Sequence, residues 1–96
     1  MDGPANHPPY ELVEDELYHA QCASLGINQQ ALDNILLDLT WTISRIPTAF
    51  PRIPSSNIRR AIHDGNPRLR IWFSFDGARI ILRSIERYER NESDVT

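Results

Sequence analysis

The sequence predicts an α+β fold: an N-terminal helical hairpin packed on a small, mainly antiparallel sheet of three to four strands. Three observations carry this expectation. Apolar residues recur at helical spacing between Asn28 and Ile46. RLRIWFSF, from Arg68 to Phe75, alternates at the period of a strand. Asp76-Gly77 then separates that run from a second apolar run, Ala78 to Tyr88, and this dipeptide suits a tight hairpin turn. A chain of 96 residues supports one core, so the whole is read as a single domain.

Residues 1–9 hold Gly3, Pro4, Pro8 and Pro9 and read as a flexible leader; the domain is expected over 10–90, with a flexible tail at 91–96. Tyr10 to Val13 is an expected short strand, entered extended because Pro9 precedes it. Glu14, Asp15 and Glu16 suit the N-terminus of a first helix that ends near Gly26. Asn28 is a suitable N-cap for a second helix running to about Ile46. Leu32, Ile35, Leu36, Leu39, Ile43 and Ile46 form its buried stripe. Leu37 and Trp41 are one turn apart on the opposite side. They either pack beneath the first helix, as a helical hairpin requires, or form a partner-binding site.

Pro47 ends the second helix, and PTAFPRIPSSN reads as a loop pinned to the core by Phe50 and Ile53. Asn57 to His63 is an expected strand, and Asp64-Gly65-Asn66-Pro67 a turn. With Asp76 and Gly77 as a two-residue loop, Phe75 faces Ala78, Phe73 faces Ile80, Ile71 faces Leu82 and Leu69 faces Ser84. That side is apolar and is expected to meet the helices. The opposite side then sets Ser74 against Arg79, Trp72 against Ile81, Arg70 against Arg83 and Arg68 against Ile85, with Arg87 continuing it.

Charge is segregated along the chain. All ten cations are arginines and lie between Arg45 and Arg90; there is no lysine. Residues 1–44 carry seven carboxylates and no cation, whereas residues 45–90 set ten arginines against four carboxylates. Arginine suits bidentate phosphate contact and stacking on flat rings, and a positive patch focuses a field even on an acidic molecule. Aromatic rings set among arginines have the composition of a nucleic-acid platform. Alternatively, Glu86, Asp64 or the acidic N-terminal segment folds across and neutralises the arginines internally. His7, His19 and His63 lack metal-ligand spacing, and Cys22 is alone, so neither a metal site nor a disulfide nor a cofactor is expected. The apolar runs are too short for a membrane span and the N-terminus lacks a signal-peptide pattern, which fits a cytoplasmic protein without a membrane partner.

The order of expected elements and the segment LRIWFSFDGARIILRSIERYER resemble the RelE/ParE toxin superfamily of bacterial type II toxin–antitoxin modules. Arg70 in LRIWF looks like the family's first arginine, Arg87-Tyr88 in IERYER like its closing pair, and SRIPTAFPRIP like its helix-exit segment. RelE-like members cut mRNA on the ribosome. The resemblance implies an endoribonuclease in which Arg70 and Arg83 stabilise phosphate charge, Arg87 helps bind the backbone, and Tyr88 stacks a base or moves a proton. Arg59, Arg60, Arg68, Trp72 and Arg79 would bind RNA, with His63 a further candidate base. ParE-like members use the scaffold to poison DNA gyrase without cutting RNA, and a third alternative is a non-catalytic module whose basic face binds an acidic protein. A cognate antitoxin, a small acidic or DNA-binding protein, is the implied partner.

Overall fold

The computed structural model describes residues 9–88. The expected leader (1–8 of it), the tail and Arg90 lie outside the described residues. The chain order is β1 (Glu11–Glu14), α1 (Glu16–Ala23), α2 (Gln29–Arg45), a 3₁₀ turn (Pro47–Ala49), β2 (Ile58–His63), β3 (Leu69–Phe75) and β4 (Arg79–Arg87). The strands form one mixed sheet in the order β1-β4-β3-β2, antiparallel except that β1 runs parallel to β4. The fold class is α+β, with two helices and four strands.

Local chemistry sets the helix limits. The Asp15 carboxylate accepts from the Glu16 N–H at 2.8 Å and starts α1. The Asn28 side chain accepts from the N–H groups of Gln30 and Ala31 at 3.0 and 3.2 Å and starts α2. Pro47 cannot continue α2 and opens the 3₁₀ turn instead. Both helices contribute to one core: Tyr18 of α1 and Leu32 and Ile43 of α2 join Ala61, Leu69, Ile71, Phe73, Ile80, Leu82 and Ile85 of the sheet. Phe50 stands edge-on to Phe73, with ring centroids 5.7 Å apart, and pins the proline-rich loop. Ile53 does not share that role; it is exposed, and the loop is held there by its backbone N–H donating to the Ile58 carbonyl. Leu37 and Trp41 likewise do not pack beneath α1. They are 72% and 58% exposed, because the core stripe of α2 already meets the sheet and leaves the opposite side to solvent.

The hairpin register differs from the expected one in two places. The turn is longer: Phe75 faces Ile80, and the Asp76 carboxylate accepts from the N–H groups of Ala78 and Arg79 at 2.9 and 2.8 Å. These bonds hold the Asp76 carboxyl below its usual pKa, and Gly77 takes the positive φ (97°) that closes the turn. Farther along, the register shifts between Trp72 and Phe73. Phe73 faces Leu82 and Trp72 faces Ser84, so Arg83 is a bulge residue with no partner opposite it. The bulge reverses the alternation of β4. Ile80 and Leu82 face the helices before it and Ile85 faces them after it, all three with 0–1% exposure. A strict period of two would have put Ser84 in the core and Ile85 outside.

β1 ends at Glu14, so the outer edge of β4 beyond Leu82 needs other partners. Gln21 of α1 supplies one, its Oε1 accepting from the Ile85 N–H at 2.9 Å. Burial pushes the Tyr18 phenol and the Cys22 thiol, which lie together under α1, above their usual pKa values.

Ile85→Ala is expected to destabilise the domain by about 2–5 kcal/mol in urea unfolding, as for a buried aliphatic truncation. A loss below about 0.5 kcal/mol, typical of a surface position, would place Ile85 on the outer side and remove the bulge.

Candidate functional site

The helices cover one face of the sheet. No described helix covers the other, and the register fixes its membership. Three cross-strand rows form it: Ile62–Arg70–Glu86, Arg60–Trp72–Ser84, and Ile58–Ser74–Ile81–Val13. Arg83 enters at the bulge between the second and third rows. This open face therefore carries Arg60, Arg70 and Arg83 around Trp72.

Each arginine has a distinct environment. Arg70 lies opposite Glu86, not Arg83, and its Nε is 2.9 Å from Glu86 Oε2. The expected like-charge pair is thus absent: the longer turn already moves Arg83 two positions away from Arg70, and the bulge adds the one further step that sets Glu86 rather than Ile85 across from it. The Arg70 guanidinium also lies 4.3 Å from the Tyr88 ring centroid. Arg68 forms an ion pair with Asp64 and approaches the same ring at 5.9 Å. Tyr88 is only 5% exposed beneath these two cations. Arg83 donates from Nε to Ser74 Oγ at 3.2 Å, and its Nη1 is 3.8 Å from Asp15 Oδ2. All three internal sources of neutralisation considered from the sequence are therefore used: Glu86, Asp64 and, through Asp15, the acidic N-terminal segment.

Arg60 keeps a different character. It is exposed, and its guanidinium lies 5.9 Å from the Trp72 ring centroid. Pro51, Arg52, Ile53, Pro54, Arg60 and Trp72 enclose a cleft of about 200 Å³ at this edge of the face. Arg52 was not among the residues singled out from the sequence; nothing in PRIP marks it until β2 folds beside the loop. Arg79 is exposed beside the hairpin turn, opposite Glu11 of β1.

Two expected members sit elsewhere. Arg59 alternates with Arg60 and so takes the helix side, where its Nη1 donates to the Phe50 carbonyl at 2.8 Å and binds the loop. Arg87 lies opposite Leu69 on the helix side, and its Nη1 donates to the Leu25 carbonyl at 3.4 Å. Its displacement has the same cause as that of Ile85, the reversed alternation beyond the bulge. His63 also takes the helix side, opposite Leu69, and its imidazole lies against Gly65. It does not join Arg70 and Arg83. A second cleft, of about 310 Å³, opens at the end of the sheet between the 64–68 turn and Arg87-Tyr88.

The face can therefore stack a flat ring on Trp72 and offer the Arg60 guanidinium to an anion beside it; Arg52, whose Nη1 donates to the Ser56 carbonyl at 2.9 Å, and Arg83, near Asp15, are adjacent cations already engaged within the chain. Arg70 and Arg68 are held by carboxylates, so an anion reaching them competes with Glu86 and Asp64. No helix among the described residues is long and apolar enough to cross a membrane. No family model matches the sequence, and no curated protein matches it.

Glu86→Gln is expected to release Arg70 and raise the salt concentration at which the protein elutes from heparin. With single-stranded RNA, one added phosphate contact steepens the dependence of log affinity on log salt by about 0.7. Unchanged elution and slope would mean that Arg70 is not accessible to an external anion.

Proposed function

We propose that this protein is the toxin component of a type II toxin–antitoxin module of the RelE/ParE kind and that it engages its target through the open face of the sheet. Support comes from the order of elements, a strand, two helices, a proline-rich segment and three antiparallel strands, together with Arg70 in LRIWF and Tyr88 after the last strand. The observation that carries the reading is the grouping of Arg60, Trp72 and Arg83 on one face, with a cleft beside Trp72. A single-stranded RNA fits this chemistry: a base stacks on Trp72 and flanking phosphates meet Arg60 and Arg83. The partners proposed with it are mRNA on the ribosome and a cognate antitoxin, and the location is the cytoplasm.

Cleavage by a neighbouring 2′-hydroxyl needs cations fixed where charge grows on the phosphorus oxygens, and a group that moves a proton. In this reading Arg83 supplies the first, joined by Arg70 once phosphate displaces Glu86, and the Tyr88 hydroxyl is the candidate proton carrier. One specific observation favours a second, non-cutting reading. Arg70, Arg68 and Arg83 already face carboxylates of their own chain, an arrangement better suited to reversible binding than to a preorganised anionic transition state. A ParE-like gyrase inhibitor or a module that binds an acidic protein is consistent with that pairing.

Induced expression followed by primer-extension mapping of mRNA separates these readings. The ribonuclease reading predicts growth arrest with new mRNA 5′ ends, relieved in Arg83→Ala. Trp72→Ala is expected to weaken binding of a short single-stranded RNA by about tenfold or more, the ordinary worth of one stacked base. Growth arrest with intact mRNA and a DNA-damage response would favour the gyrase reading; harmless expression would leave only partner binding. If both variants retain full toxicity, the open face is not the working surface.

A further inference from the structure

The outer side of α2 carries a pattern whose two ends are complementary in charge. Asp33, Leu37, Trp41 and Arg45 recur every four residues, acid first and cation last, with two apolar residues between. Residues at this spacing form one ridge along a helix. None of the four belongs to the core, and Leu37 and Trp41 are the most exposed large apolar pair on the helix. Asn34, Leu37, Asp38 and Trp41 frame a shallow depression of about 420 Å³ beside the ridge. Arg45 lies over the Trp41 ring at 4.7 Å, and among the described residues no carboxylate pairs with it. Its Nε is buried without an acceptor. Asp33 accepts from Gln29 within its own helix at 2.7 Å, and no cation of the described residues meets it.

We propose that a second copy of this chain docks on the ridge, α2 antiparallel to α2 about a two-fold axis near residue 39. That alignment sets Leu37 against the partner's Trp41 and Trp41 against the partner's Leu37. It also sets Asp33 against the partner's Arg45 and Arg45 against the partner's Asp33. Every contact is duplicated by symmetry, as a self-complementary interface requires. Ridges of four-residue spacing pack in this way at a crossing of about −50°. Charge decides the occupant. An acidic helix would satisfy Arg45 but oppose Asp33, and a parallel copy would set like charges together; the antiparallel copy matches both ends. A single helix crossing is smaller than a standard interface of about 1,600 Å², so the dimer is weak and concentration-dependent. The ridge points away from the sheet, so this assembly stands or falls independently of the open face.

Charge exchange tests the proposal on the full chain. Sedimentation velocity is run from micromolar to millimolar protein on the unaltered chain, on Asp33→Arg, on Arg45→Asp, on the double variant and on an equimolar mixture of the two single variants. The unaltered chain is expected to shift toward dimer as concentration rises. Each single variant sets like charges at both ends of its own dimer and should associate about tenfold or more weakly. Both the double variant and the mixture restore opposite charges at every end and should regain association, which also shows that the single variants are folded. A chain that stays monomeric throughout, or a mixture no stronger than its components, overturns the proposal.

Discussion

The β-bulge at Arg83 is the constraint on which the rest of the structure depends. β4 must bury Ile80, Leu82 and Ile85 together, and no uninterrupted strand places residues of both parities on one face. One unpaired residue reconciles them. The choice of which residue bulges then decides the chemistry of the opposite face. Because Arg83 is extruded, Glu86 rather than Ile85 lies across from Arg70, and Arg83 turns toward Ser74 and Asp15. Packing of three aliphatic side chains thus sets the electrostatics on the other side of the sheet.

Charge segregation in the sequence is resolved only in part by the fold. The acidic first half sends Asp15 to Arg83, the basic half supplies Glu86 to Arg70 and Asp64 to Arg68, and Arg52, Arg59 and Arg87 donate to loop carbonyls. Ion pairs like these, each with a solvent-accessible carboxylate, add little stability, about 0–1 kcal/mol each. Their consequence lies in binding: they hold guanidinium groups extended over the sheet while keeping their charge exchangeable. Arg60 beside Trp72 remains the least encumbered cation of the open face, and it is next to the cleft formed with the proline-rich loop.

Much of the architecture was legible in the sequence because local signals and the fold agree. Asn28 and Pro47 bound α2 as caps and breakers do, and RLRIWFSF alternates as β3 does. The site was harder to read, because its membership depends on one irregularity. The spacing Ile80-Leu82-Ile85 carried the signal, a step of three in an otherwise even run, but Asp76-Gly77 favours a regular two-residue turn that masks it. Asp76 instead satisfies two N–H groups of a longer turn. Meetings of distant segments, such as Arg52, Arg60 and Trp72 lining one cleft or Gln21 bonding the β4 edge, have no local signature at all.

The bulge is tested most directly by cross-strand nuclear Overhauser effects between β3 and β4 in the isotopically labelled protein. A bulge at Arg83 gives backbone contacts between Ile71 and Ile85 and between Trp72 and Ser84, alongside Phe73 with Leu82. Contacts of Ile71 with Leu82 and of Arg70 with Arg83 would restore an unbroken ladder, return the two arginines to one another, and contradict the arrangement of the open face described above.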